Sequence, residues 1–72
     1  MAFDKSYIEF GALIPVGKTL RIYRDRFKYL ALEVGYPISR AIWSGEKLIV
    51  HLEDGSARIY TDRFSYTPLR VR

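Results

Sequence analysis

The sequence predicts a small, mainly β fold: an antiparallel barrel or strongly curved sheet of about five to seven short strands, built from two related hairpin units. Three observations carry that expectation. Residues 21–32 recur as residues 58–69 in the pattern Arg-Ile-Tyr-x-Asp-Arg-Phe-x-Tyr-x-x-Leu, with eight of twelve positions identical at an offset of 37. Turn signals at Gly11, Gly17, Gly35 with Pro37, Gly45, Gly55 and Pro68 cut the chain into strand-sized pieces. Lys47 to Leu52 alternates apolar with other residues and is followed by Asp54-Gly55, the strongest short-range hairpin signal in the chain.

Taken in order, the apolar run Ala12 to Val16 and the turn at Gly17 lead into the first repeat, so each copy reads as a hairpin, an Asp-Arg corner and a further segment. The segment after the first corner fits two patterns. Phe27, Leu30, Ala31 and Val34 have helical spacing, with Asp25 placed to cap and Gly35 to stop, whereas Leu30, Leu32 and Val34 alternate as a strand does. The second copy has Pro68 in the place of Ala31, which inside a helix would cost roughly 3 kcal/mol. A short helical turn at Asp-Arg-Phe followed by a strand is therefore favoured, with a helix near 25–34 as the alternative.

Ile38 to Trp43 reads as a strand joined to the next through Ser44-Gly45-Glu46, making residues 38–60 a three-stranded meander. Its hairpin, residues 47–60, is expected to turn through Asp54-Gly55 as a two-residue type I′ turn. Leu48, Val50 and Leu52 share one face and Lys47, Ile49 and His51 the other. Val50 and Ile59 should be buried, and His51 at least partly exposed.

The period of two places Ile22 and Ile59 inward and Arg21, Tyr23, Arg58 and Tyr60 on the opposite face. Phe27 and Phe64, Tyr29 and Tyr66, Leu32 and Leu69, together with Trp43, are read as core. Asp25-Arg26 and Asp62-Arg63 are read as caps or ion pairs that fix the corner, with the Asp oxygen accepting backbone N–H groups one or two residues on.

Composition narrows the function classes. Seventy-two residues make one domain, and 49% hydrophobic residues with eleven aromatics can supply its core. Neither half could bury its apolar face alone, so the two copies should pack as one unit. With no Cys and one His there is no disulfide framework and no ordinary zinc site, and no metal or other cofactor is expected. His51 stands without a nucleophile or paired carboxylate at a known spacing, Glu53-Asp54 reads as an acidic turn, and no serine lies in a Gly-x-Ser-x-Gly elbow, so the chain is not expected to be an enzyme. No apolar run approaches the roughly 18 residues that span a bilayer, and the start lacks a basic and apolar leader. A cytoplasmic location without a membrane partner is the expectation. The net charge of +4 divides evenly between the halves and leaves no basic tail.

The copies differ most in charge. Lys18, Arg21, Arg24, Arg26 and Lys28 fall within eleven residues, whereas Gly55, Thr61 and Ser65 replace Lys18, Arg24 and Lys28 in the second copy. With Tyr23, Phe27 and Tyr29 interleaved, segment 18–29 has the composition of a phosphate-contacting, base-stacking surface or of an ordinary solvated face. The outward Tyr and Arg residues are either cross-strand partners or a binding surface. The functional expectation is a small binding module acting on a protein partner or as a homodimer, with nucleic acid bound through 18–29 as the alternative. Its candidate binding residues are Lys18, Arg21, Tyr23, Arg24, Lys28, Arg58 and Tyr60.

Two resemblances attach to Ile38–Gly55. With Trp43, Leu48, Val50 and Asp54-Gly55, this segment resembles the Trp-bearing strands of the small archaeal chromatin proteins, which coat DNA with an SH3-like barrel. Ala41, Leu48, Val50, Asp54 and Gly55 are also similar to the Ala, gap, Leu-x-Val, Asp-Gly pattern of a widespread bacterial family of unknown function. Each covers about a quarter of the chain, neither accounts for the repeat, and the archaeal proteins are far richer in Lys than the four found here, so no family is assigned.

Overall fold

The computed structural model describes residues 3–70, of which Arg70 by its backbone only. A short helix, α1 (Lys5–Phe10), precedes seven strands: β1 (Leu13–Val16), β2 (Thr19–Tyr23), β3 (Tyr29–Glu33), β4 (Ile38–Ser44), β5 (Lys47–Leu52), β6 (Ser56–Tyr60) and β7 (Tyr66–Arg70). They form two antiparallel meanders, β1-β2-β3 and β4-β5-β6-β7, each joining neighbours in sequence. The sheets do not close into a barrel. β1, which runs beside β4, is four residues long and contains Pro15, which has no N–H to offer a second ladder.

Residues 25–34 contain no helix. The chain bends through Arg24–Phe27 and then pairs as β3, with Tyr23 opposite Tyr29 and Thr19 opposite Glu33. The strand pattern of Leu30 and Leu32 prevails over the helical spacing because Leu32 is buried and Leu30 packs against the core. The helix lies instead at α1, which the pattern of residues did not reveal. Asp4 caps it, accepting from the Ser6 N–H at 3.0 Å, and Gly11 ends it at φ +77°, with its own N–H on the Tyr7 carbonyl. Six residues cannot hold a helix alone, and it is fastened by Phe3 and Tyr7 packing on the core. The Phe3 ring meets Trp43 edge to face at 5.3 Å.

The hairpin at 47–60 forms as β5 and β6, with Leu48, Val50 and Leu52 buried and His51 partly exposed. Its turn differs from the expected one. Three residues, Glu53–Gly55, connect the strands, Gly55 donates to the Leu52 carbonyl at 3.2 Å, and its φ is +94°. A type I′ turn would need positive φ at Asp54 too, and no described non-glycine residue has it. Asp54 is held by another interaction, its carboxylate accepting from the Ser56 N–H at 2.9 Å and hydroxyl at 2.6 Å.

The core is shared between the sheets. Leu20, Ile22, Leu32 and Val34 come from the first, Ile38, Leu48, Val50, Leu52 and Tyr60 from the second, and Phe3 completes the cluster. Each such aliphatic side chain contributes about 1.5–3 kcal/mol by burial. Trp43, expected in the core, is only partly buried against it, and its indole N–H finds no acceptor among the described residues.

The strands of the two repeat copies occupy equivalent positions. β2 and β6, and β3 and β7, coincide at the offset of 37, and Tyr60 opposes Tyr66 as Tyr23 opposes Tyr29. The faces turned inward, however, are opposite. In the first copy Leu20, Ile22 and Leu32 are buried, leaving Arg21, Tyr23 and Tyr29 outward. In the second, Arg58 and Tyr60 lie opposite Val50 and Leu48 on the core face, and Ile59 shares the other face with Ile49. This corrects the expectation that Ile59 points inward and Arg58 and Tyr60 outward. The cause is visible in the residues: Ala57 and Thr67 replace Leu20 and Leu30, removing two leucines from the apolar face of the second copy. The Tyr60 ring is buried at 3% exposure in their stead. Tyr29 and Tyr66 are 45% and 44% exposed, so they are not the core residues expected, and Leu69, at 45%, does not repeat the burial of Leu32.

Candidate functional site: the paired Asp-Arg-Phe loops

Each repeat hairpin ends in a five-residue loop, 24–28 or 61–65, whose shape follows from its sequence. The flanking tyrosines meet across the strands, Tyr23 with Tyr29 at 5.1 Å and Tyr60 with Tyr66 at 5.0 Å between ring centroids. Just beyond them Arg24 donates to the Lys28 carbonyl at 3.1 Å, and Thr61 to the Ser65 carbonyl at 3.0 Å. Within the first loop Asp25 accepts from the Phe27 and Lys28 N–H groups, both at 2.8 Å. Asp62 does the same for Phe64 at 2.7 Å and Ser65 at 2.9 Å. The Phe27 N–H, and after it that of Lys28, stabilise the charged form of Asp25 and hold its carboxyl below the ordinary value of 3.8.

This closure leaves the phenylalanines no interior to enter. Phe27 and Phe64 are each 84% exposed, which corrects their assignment to the core. Each ring forgoes the roughly 2–3 kcal/mol that full burial would supply. Isolated exposed apolar residues are ordinary; the same ring held out by the same two hydrogen bonds in both copies is a built feature.

The two loops lie at one end of the molecule. Arg24 is close enough to Asp4 to add to the stabilisation of its carboxylate, which the backbone and hydroxyl groups of Ser6 chiefly provide. Asp4 in turn lines, with Phe3, Tyr7, Leu30, Arg63 and Phe64, an open cleft of about 360 Å³ beside the second loop. The Arg63 guanidinium sits 5.1 Å from the centre of the Phe64 ring. The end therefore carries two exposed phenylalanines, the cations Arg24, Arg26, Lys28 and Arg63, and the carboxylates Asp4, Asp25 and Asp62.

The candidate binding residues are distributed over four places. Lys18 lies in the β1–β2 turn, at the opposite end of β2 from Arg24 and Lys28, about 20 Å away along a strand. Arg21 and Tyr23 lie on the outer face of the first sheet, where Arg21 stacks on Tyr29 at 4.8 Å. Arg58 faces inward, donating to the Val34 carbonyl and the Tyr60 hydroxyl, both at 3.1 Å, and stacking on Tyr66 and Tyr36. Tyr60 is 3% exposed. Only Arg24 and Lys28 of the set reach the loop end. The residues missed there are Phe27 and Phe64, whose signal is their place as fourth residue of a five-residue loop between two facing tyrosines.

Among the described residues there is no grouping of three or more His, Cys, Asp or Glu able to hold a metal ion, and no helix long and apolar enough to cross a membrane. No protein family, curated protein or solved structure matches the chain, and neither resemblance at Ile38–Gly55 gains support.

Proposed function

We propose that this chain is a non-enzymatic binding module that takes hold of a protein partner at the end carrying the two Asp-Arg-Phe loops. The observation that carries this reading is the 84% exposure of both Phe27 and Phe64 on loops closed by identical hydrogen bonds. A loop whose backbone is fixed before contact costs less ordering free energy when its ring enters a partner's pocket. Arg63 stands beside the Phe64 ring as a polar rim group, and the cleft there offers a recess for a partner side chain.

Charge favours a protein over a nucleic acid in this reading. Among the described residues, carboxylates at Asp4, Asp25 and Asp62 stand between the cations Arg24, Arg26, Lys28 and Arg63, and they would repel the phosphates those cations attract. Apolar anchoring is the larger contribution, since each ring can bury roughly 150–250 Å².

A peptide library displayed on phage and selected on the native protein tests the reading. Peptides so obtained should lose at least about tenfold in affinity for Phe27→Ala and Phe64→Ala, with little dependence on salt. Selected peptides that bind both variants as tightly as the native chain would contradict it. Oligonucleotide binding with a log–log salt slope of roughly −2 or steeper, flattened by Arg24→Thr with Lys28→Ser, would establish the nucleic-acid reading instead.

A further inference from the structure

The two repeat hairpins differ at their free edges. β3 and β7 are each the last strand of their sheet, with no strand hydrogen-bonded on the far side among the described residues. In an antiparallel pair, residues bonded to the neighbouring strand alternate with residues whose N–H and C=O point away from it. The Arg24 N–H on the Lys28 carbonyl at 3.1 Å and the Val34 N–H on the Lys18 carbonyl at 3.0 Å fix that alternation at both ends of the β2–β3 ladder. Leu30 and Leu32 are therefore the bonded positions of β3, and Tyr29, Ala31 and Glu33 direct their backbone groups outward. In the second copy the Thr61 N–H on the Ser65 carbonyl at 3.0 Å sets the same alternation, and Pro68 holds the outward place equivalent to Ala31. A proline there has no N–H to offer and shields its edge from further pairing. β1 is guarded alike, since the Tyr23 N–H on the Ala12 carbonyl turns Pro15 outward. Of these three strands, β3 alone keeps every outward N–H.

We propose that β3 receives an extended segment of a protein partner as a further strand of the first sheet. This rests on the reading of the chain as a protein-binding module and specifies how the partner's backbone is held. Donors and acceptors alternating along a strand edge are the pattern that an extended peptide backbone matches. The residue type is set by β2, which pairs on the other side of β3 with Leu20 opposite Leu32 and Ile22 opposite Leu30. A strand on the outer edge meets the same two leucines, so it too carries apolar residues at alternate positions.

The edge is continuous with the loop end. Leu30 lines the open cleft together with Phe3, Tyr7 and Phe64, and the partner's apolar side chain beside Leu30 enters there. β3 begins at Tyr29, directly after the 24–28 loop, so a segment laid along it leads on to Phe27. Backbone pairing holds the segment, and the cleft and the rings choose its side chains.

Ala31→Pro is the test, because it copies the second repeat and removes an N–H that β2 does not use; two-dimensional NMR dispersion verifies the fold. Phage-displayed peptides selected on the native chain should bind this variant at least about tenfold more weakly. Amide hydrogen exchange adds a measurement that needs no variant. In the free native chain the amides of Tyr29, Ala31 and Glu33 should exchange at least about tenfold faster than those of Leu30 and Leu32, and a bound peptide should remove the difference. A selection that returns no peptide, peptides that bind Ala31→Pro as tightly as the native chain, or edge amides that are slow without peptide or stay fast with it would overturn the proposal. Slowing that grows with the concentration of the native chain alone would seat a second copy on the edge and overturn it too. Peptides weakened by Ala31→Pro but not by Phe27→Ala or Phe64→Ala would uphold strand addition and sink the loop-end reading; the converse pattern would sink strand addition alone.

Discussion

The Arg58 guanidinium donates a hydrogen bond to the carbonyl oxygen of Val34 at 3.1 Å, fastening the second repeat hairpin to the segment that leaves the first. Its counterpart Arg21 stacks on a tyrosine in the same way but faces outward. One residue type in one sequence context thus holds the molecule together in one copy and stands at its surface in the other.

The first prediction follows from that difference. Arg58→Ala should cost about 2 kcal/mol in chemical denaturation, because it removes charge-assisted hydrogen bonds to Val34 and Tyr60 in a partly buried setting along with two ring contacts. Arg21→Ala should cost less than about 1 kcal/mol. Equal costs would mean that the two faces are packed alike.

The loop phenylalanines give the second. Phe27→Ser and Phe64→Ser should each leave stability within about 0.5 kcal/mol of the native chain. A buried phenylalanine at either position would cost roughly 3–5 kcal/mol on truncation, so the same denaturation curves decide between the two placements.

At the β5–β6 turn, Gly55→Val should cost on the order of 1 kcal/mol or more, since φ at +94° is a conformation that a β-branched residue rarely adopts. No atom outside the neighbouring residues lies within 4 Å of an added Cβ, so the cost is one of backbone conformation. An unchanged melting temperature would show that the turn adopts another shape.

Acid sensitivity supplies a fourth. Hydrogen bonds, from the Phe27 and Lys28 N–H groups to Asp25 and from Ser56 to Asp54, hold both carboxyls below their ordinary 3.8. A folded-state value below the unfolded one contributes stability that is complete above the unfolded value and is lost as pH falls through the folded one. The melting temperature should therefore drop as pH falls below about 3.8, and Asp25→Ala should flatten that limb while lowering the plateau above it. A variant whose acid limb is as steep as the native one would remove Asp25 from this account.

The strands were legible in the residues because their signals are local. Lys47 to Leu52 alternates over six residues, and Pro68 in the place of Ala31 weighs against a helix in both copies while leaving it open at 25–34. The faces of β6 were not legible, because Arg58 and Tyr60 against Ala57 and Ile59 is a contest between two amphipathic alternatives. Its outcome depends on Leu48 and Val50 across the sheet and on an acceptor, the Val34 carbonyl, 24 residues away. α1 has six residues, too few for periodicity to declare itself, although Asp4 and Gly11 mark both of its ends. Of the candidate site, Asp25 and Asp62 were read correctly as corner residues accepting backbone N–H groups. The rings were misplaced because burial is the usual fate of a repeated aromatic, and the geometry those carboxylates impose overrides it here.

The central claim, that the paired loops are the working surface, is tested most directly by ¹H–¹⁵N NMR of the labelled native chain titrated with a peptide selected on it. The largest shifts should fall at residues 24–28 and 61–65, with Phe3 and Tyr7 of the adjoining cleft following. Shifts centred on Arg21, Ile42 and Ile49, with both loops unmoved, would contradict the claim and place the partner on the sheet faces.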